Sequence, residues 1–445
     1  MTVPVAQSRP IFPRLAADQR LYAGMLRYTV VFWSVGLLTL VQAIVIAILA
    51  FTRAPAGQLA RMVAISWISI GVLQFVASIL AGVWREQAGQ GIMQLASFGV
   101  LGWIMGGLAI WAGAAHGLSG QPVVRAVSIL GGVIIVLAMI GAVGVSLGLP
   151  RLVLPYTLPM LIAPNSISAQ LYGSLAIYIP EETFGEQVTR LILFYPYTTA
   201  LGLGGIGITL ISVLEKDMRF RLLGMTGGLI AVVFSWSRLS LGALLLCALG
   251  WIWLRATFKL RLLFVFLALF VLFAISIVGF DWPAALMSIQ DRIDGVRAGS
   301  SLARHLIYEK SWEGFLQSPI FGNGWIGPSV HPKEILPIGS HSTVYGLLYT
   351  GGVMTFAAFV VAITLTLASG VVRLLSEKSG RSDEVIVMLL LSLTLLFFCK
   401  YESLFSITLP CSYIFTFIGG ALEPQRPMRS SADDADRFKR TRKLS

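Results

Sequence analysis

The chain has 445 residues, of which 56% are hydrophobic and 12% charged, and its mean hydropathy is +0.81. So little charge cannot cover the surface of a soluble protein of this length. The formal net charge of +12 is read as basic residues that orient short membrane loops, not as a nucleic-acid surface.

Residues 1–25 are polar, carry Arg9, Arg14 and Arg20, and lack a signal-peptide pattern, so they are assigned to a cytoplasmic N-terminal segment. Apolar runs of membrane-helix length follow at roughly 26–50, 63–83, 91–113, 125–147, 197–215, 222–237, 239–254, 262–280, 344–372, 385–400 and 403–421. A β-barrel would instead show short alternating segments. The basic stretches 216–221, 255–261 and 373–381, with both termini, belong on the cytoplasmic side.

An odd number of spans cannot satisfy that arrangement, so the uncharged stretch 152–179 is taken as a further span. Its prolines Pro155, Pro159 and Pro164 break a helical ladder but are tolerated where neighbouring helices re-satisfy the backbone. The expectation is an all-α polytopic membrane protein of about twelve transmembrane helices. The transmembrane domain runs over 26–421, with external loops at about 170–196 and 281–343 and a disordered basic tail at 422–445. The longer loop holds Trp282, Trp312 and Trp325, a predicted helix near 301–317 and the turn-rich "SPIFGNGWIGP", so it is expected to be folded. Cys247, Cys399 and Cys411 lie in or near the apolar runs without metal-ligand spacing and read as small apolar residues.

The rare polar groups gather on the external side. Arg238 sits in "SWSRLS", the turn between two apolar helices whose outer flanks are basic. A charge at the edge of a membrane domain is costly and calls for a partner or a water-filled cavity. Arg304 leads the loop helix and aligns at i, i+4 and i+8 with Tyr308 and Trp312. Arg190 precedes the span that begins near 197. His341 stands in "GSHST", where the long loop meets a helix, whereas His116 and His331 read as ordinary loop residues. Guanidinium groups fork onto phosphate oxygens, and a near-neutral histidine can take a proton from an attacking hydroxyl. Together they suit group transfer from a phosphate-bearing lipid activated before it reaches that face. Asp291 and Asp294, in "DRIDG", make only a weak divalent-metal pattern, so no metal and no cofactor is expected.

The order of these motifs resembles the O-antigen ligase and O-antigen polymerase superfamily of bacterial polytopic membrane glycosyltransferases. The likeness runs over about 185–360: the "SR" turn, the arginine-led loop helix, "SPIFGNGW", then "SH" leading into "GLLYTGGV". It implies a GT-C-like enzyme of the inner (cytoplasmic) membrane that uses an undecaprenyl-diphosphate-linked glycan donor and a glycan acceptor, without metal. Carried over by motif, Arg238, Arg304 and Arg190 would bind the donor diphosphate and His341 would activate the acceptor, with Ser342, Tyr308 and Trp312 in support. "YP" stands where the family often has "NP", and "GSHST" replaces the commoner "HN". The pathway's flippase and chain-length regulator are further implied partners. An exopolysaccharide, capsule or O-antigen polymerase is the first reading, and a ligase onto lipid A–core the second. A lipid-linked sugar transporter is the alternative of a different class. It would show internal repeats, which the sequence lacks.

Overall fold

The computed structural model describes residues 12–85, 102–149, 153–154, 161, 175–183, 186–277, 298–330, 336–376 and 382–423. In chain order, the helices are α1 (Phe12–Arg27), α2 (Thr29–Ser34), α3 (Leu38–Thr52), α4 (Gln58–Arg85), α5 (Met105–His116) and α6 (Gln121–Ser146). After a loop region follow α7 (Thr198–Ser212), α8 (Met218–Phe234), α9 (Arg238–Arg255), α10 (Phe258–Ile277), α11 (Ala298–Gln317), α12 (Thr343–Ser376), α13 (Ser382–Cys399) and α14 (Ser412–Leu422). Among the described residues, α6, α9, α12 and the first 24 residues of α4 are long and apolar enough to cross a membrane. The protein is a multi-pass helical membrane protein.

The helices pack through small residues. A side chain at Gly227 of α8 would collide with the Gly131 carbonyl of α6, and one at Gly419 of α14 with the Ile110 carbonyl of α5. Lipid is as apolar as the helices, so close backbone approach is what holds such a bundle together.

One end of the bundle carries ion pairs. Arg125 donates to Glu215 at 2.8 Å, Arg255 pairs with Asp383, and Arg373 donates to the Leu422 carbonyl at 2.6 Å. The 56–57 turn donates to Glu423. The opposite end carries the turns that lead into α7, α9, α12 and α14. We call these the basic end and the site end.

Two expectations are corrected here. First, the run 26–50 is not one span. Gly36, at φ 75°, turns the chain between α2 and α3. Asp18 of α1 and the Leu49 carbonyl of α3 both meet His116 at 2.9 Å, so the start of α1 lies level with the end of α3. Residues 12–52 therefore form an antiparallel hairpin. Tyr22, Ala23, Met25 and Leu26 are buried in the bundle, so the end of the segment assigned to the cytoplasm is part of the core. The same network buries His116, expected in a short loop, at the last position of α5.

Second, 152–179 is not a single helix across the bundle. β1 (Val153–Leu154) pairs antiparallel with β2 (Leu175–Ala176), which brings the two ends of the segment together. The chain continues into the hairpin β3 (Tyr178–Thr183) and β4 (Glu186–Leu191), with Ile179 opposite Arg190. The flanks of this segment take strand pairing, and Pro155, Pro159 and Pro164 lie outside the described residues.

Candidate functional site

The site end gathers the singled-out residues around the start of α12. The predicted loop helix exists as α11, and its buried stripe is Ala303, Ile307 and Ser311. The i, i+4 spacing of these residues faces the bundle. Arg304 and Tyr308 lie beside that stripe and are partly buried. Trp312 does not join them: it is exposed and its ring contacts Phe315 at 5.1 Å. Asp291, Asp294, Trp282 and His331 lie outside the described residues.

The segment "SPIFGNGW" fixes α11 onto the bundle. α12 is broken at Gly352, with φ 65° and ψ −167°. The break leaves carbonyls without helical partners. The Asn323 and Gly324 amides donate to the Tyr349 and Thr350 carbonyls at 2.7 and 2.8 Å, and Val353 N–H donates to the Pro319 carbonyl at 2.8 Å. Asn323 Nδ2 donates to the Gly314 carbonyl of α11 at 3.0 Å. Gln74 of α4 donates to the Gly324 carbonyl at 3.3 Å and accepts from Thr350 at 3.1 Å. Irregular backbone at membrane depth requires such internal satisfaction.

His341 closes the turn before α12 in the left-handed region, at φ 59°. A non-glycine residue there is strained and persists only where its surroundings fix it. Tyr308 Oη donates to the His341 carbonyl at 3.0 Å, and the Tyr308 and Tyr345 rings stack at 4.6 Å. Ser342 is fully buried and donates to the Cys399 carbonyl at 3.4 Å, while its Oγ accepts from Tyr345 N–H at 3.3 Å. Ser342 thus caps α12 and is turned into the fold.

Arg304 Nη2 donates to Glu402 Oε1 at 3.1 Å. The Glu402 backbone carbonyl in turn accepts from both the amide and the hydroxyl of Thr343, at 3.0 and 2.7 Å. Glu402 therefore ties Arg304 to the residue two positions after His341. Arg304 Nε is buried with no hydrogen-bond partner among the described residues. Burial, together with the nearby Arg304 charge, pushes His341 down to about 4 from its ordinary 6.5. At neutral pH the imidazole is uncharged, as a proton acceptor must be. Burial also pushes the Tyr308 hydroxyl up, so it remains a donor.

Arg190 and Arg238 sit at the N-terminal end of α7. Arg190 donates to Thr198 Oγ1 at 3.4 Å and is buried. Arg238 is the first residue of α9, whose Ser237 cap accepts from Ser240 N–H at 3.2 Å. The α9 start lies against the first turn of α7, where a side chain at Gly202 would strike the Ser240 hydroxyl. Tyr197, which caps α7, bonds Ser406 at 2.7 Å and the Ser403 carbonyl at 3.3 Å, beside Glu402. Arg304 and His341 are thus joined through Glu402 and Tyr308. Arg190 and Arg238 reach the same turn through α7.

A family model for O-antigen ligase matches residues 222–360. That segment runs from the α8–α9 pair through α11 to the broken α12 and holds Arg238, Arg304 and His341. Residues 222–360 are thus similar to the O-antigen ligase family. No curated protein matches the chain. Within the matched span, sequence reasoning missed Asn323 and Ser340. It also missed Glu402, which lies outside the matched span. The signal for Glu402 was present: a carboxylate in "KYES", between two apolar runs, is as costly at a membrane edge as an arginine.

Proposed function

We propose that this protein is a polysaccharide polymerase of the bacterial inner membrane. It transfers a glycan from an undecaprenyl-diphosphate carrier to a lipid-linked acceptor sugar at the periplasmic face. The observation that carries the reading is the joining of Arg304, Glu402 and an uncharged His341 at one end of the bundle. In this reading the site end is periplasmic and the basic end cytoplasmic, which agrees with Lys and Arg enrichment on the inner side. The α1–α2 segment, α3, α4, α5, α6, α7, α8, α9, α10, α12, α13 and α14 then make about twelve passes, each a membrane helix or a shorter piece of one.

The acceptor hydroxyl attacks the anomeric carbon as the carbon–oxygen bond to the diphosphate breaks. Its proton passes to His341, and the bonding pair leaves with the diphosphate. Arg304, whose Nε has no hydrogen-bond partner among the described residues, with Arg238 and Arg190, stabilises the charge that develops there. No metal takes part. Direct displacement inverts the anomeric configuration. A ligase that moves a finished chain onto lipid A–core is the second reading, favoured by the description of the matching family model.

The test is a strain lacking this protein, complemented with wild type or His341→Ala. Accumulated single lipid-linked repeats mean polymerase; long lipid-linked chains beside bare core mean ligase. Full restoration of polysaccharide by His341→Ala removes His341 from the chemistry.

A further inference from the structure

The turn that carries His341 contains a hydroxyl that neither the motif likeness nor the reading above uses. Ser340 Oγ lies 2.6 Å from the Pro337 carbonyl and 2.9 Å from His341 Nδ1. A hydroxyl has one hydrogen and spare lone pairs. The carbonyl can only accept, so the single Ser340 hydrogen goes to Pro337. Toward His341, the same oxygen can then only accept. The ring nitrogen facing it must carry the hydrogen.

We infer that Ser340 is a positioning residue that holds neutral His341 in its Nδ1–H tautomer and leaves the Nε2 lone pair as the proton acceptor. The inference rests on the proposed base role of His341 only for its consequence; the tautomer itself follows from the bonding. No described residue hydrogen-bonds Nε2. A histidine base needs its partner nitrogen tied in this way, because the tautomer decides which lone pair is offered.

The turn is built to hold this arrangement. Ser340 N–H also donates to the Pro337 carbonyl at 3.2 Å. The next residue back, Gly339, donates its amide to Ser311 of α11 at 2.8 Å. Gly339, at φ 82°, and His341, at φ 59°, are both left-handed, which swings the Ser340 side chain and the imidazole onto the same side. Tyr308 holds the His341 carbonyl from the other side. When the acceptor hydroxyl gives its proton to Nε2, the imidazolium retains its Nδ1–H bond to Ser340 Oγ. Ser340 itself neither gains nor loses a proton.

The test uses the full chain in lipid nanodiscs, with 15N-labelled histidine and His341→Gln for assignment. Wild type is expected to show His341 Nδ1 protonated and Nε2 bare. S340A is expected to shift the neutral ring toward the Nε2–H tautomer and to lower transfer on the order of tenfold, mainly in kcat. S340T, which keeps the hydroxyl, restores both. A wild-type ring protonated on Nε2, or a tautomer unchanged in S340A, overturns the inference. A tautomer that shifts in S340A while transfer continues at the wild-type rate upholds the assignment of Ser340 and removes His341 from the base role. The two ideas therefore fail separately.

Discussion

At the scale of single residues, the decisive quantity is the charge state of His341. Its folded value is lowered to about 4, so the neutral form predominates above that value and is lost as pH falls through it. The acid limb of kcat/KM is therefore expected near pH 4, not near the ordinary value of about 6.5. His341→Ala should lower transfer by roughly 10²–10⁴-fold, the usual worth of a positioned proton acceptor. A pH–rate profile of the purified protein, with an acid limb near 6.5 or with the His341→Ala enzyme unimpaired, would count against this reading. Glu402 makes a second prediction. Its carboxylate holds Arg304 at 3.1 Å and is nearly buried. Glu402→Gln keeps an acceptor oxygen but removes the charge. Transfer should fall about tenfold, equivalent to about 1.4 kcal/mol of transition-state stabilisation, with Glu402→Ala falling further. Initial rates on a lipid-linked donor measure both. The arginines and His341 stood out in the sequence because charge is rare in this chain: Arg190, Arg238 and His341 lie beside apolar runs, and Arg304 leads the helix of the long loop. Glu402 and Ser340 did not, because their roles depend on partners 98 and 3 residues away in the chain, respectively.

At the scale of elements, the break in α12 is the part most exposed to mutation. Gly352 occupies a region of backbone space that only glycine enters readily, and a side chain there would collide with the Ile320 carbonyl. Gly352→Ala should cost at least about 1–3 kcal/mol from backbone strain alone, and more from the collision. It should lower the melting temperature in detergent and release the 318–324 segment. Asn323→Ala is the milder companion. It loses bonds to the Gly314 and Tyr349 carbonyls and leaves buried acceptors short of donors, a loss of about 1–3 kcal/mol. Both variants should reduce transfer, because α11 with Arg304 is positioned through this segment. Equal melting temperatures for Gly352→Ala and wild type would show that the break is not where the segment is locked. The sequence marked α12 as one apolar run, and "TGG" carried the only hint of a break. Glycine pairs are common in membrane helices, so the hint becomes decisive only when another segment is seen to supply the missing hydrogen bonds.

At the scale of the whole molecule, the number of passes expected from the sequence and the number proposed above are the same, although the partition differs. Apolar length alone counts 26–50 once and admits 152–179. The fold folds 12–52 back on itself at Gly36 and closes 152–179 through β1 and β2. The two differences compensate, so both partitions leave the termini on one side. They differ in the middle: they place everything between Thr52 and Leu149 on opposite sides. Length cannot separate them, because α1 is amphipathic and its polar groups are matched from afar, Asp18 by His116 and Gln19 by the His116 and Gly117 carbonyls. Accessibility can. In a variant with the native cysteines replaced, Ala56→Cys and Lys216→Cys lie at the basic end, and Leu147→Cys lies at the site end, all three exposed. A membrane-impermeant maleimide applied to spheroplasts should label Leu147→Cys and spare the other two until the membrane is opened. Labelling of Ala56→Cys from outside, with protection of Leu147→Cys, would restore 26–50 and 152–179 as spans. It would also detach α1–α6 from the arrangement that brings the α5–α14 contact to the same end as Glu423. Because Glu423 binds the 56–57 turn directly, sidedness at residue 56 is also sidedness at the end of α14, and so decides on which side α14 ends and on which side Glu402, at the far end of α14, holds Arg304.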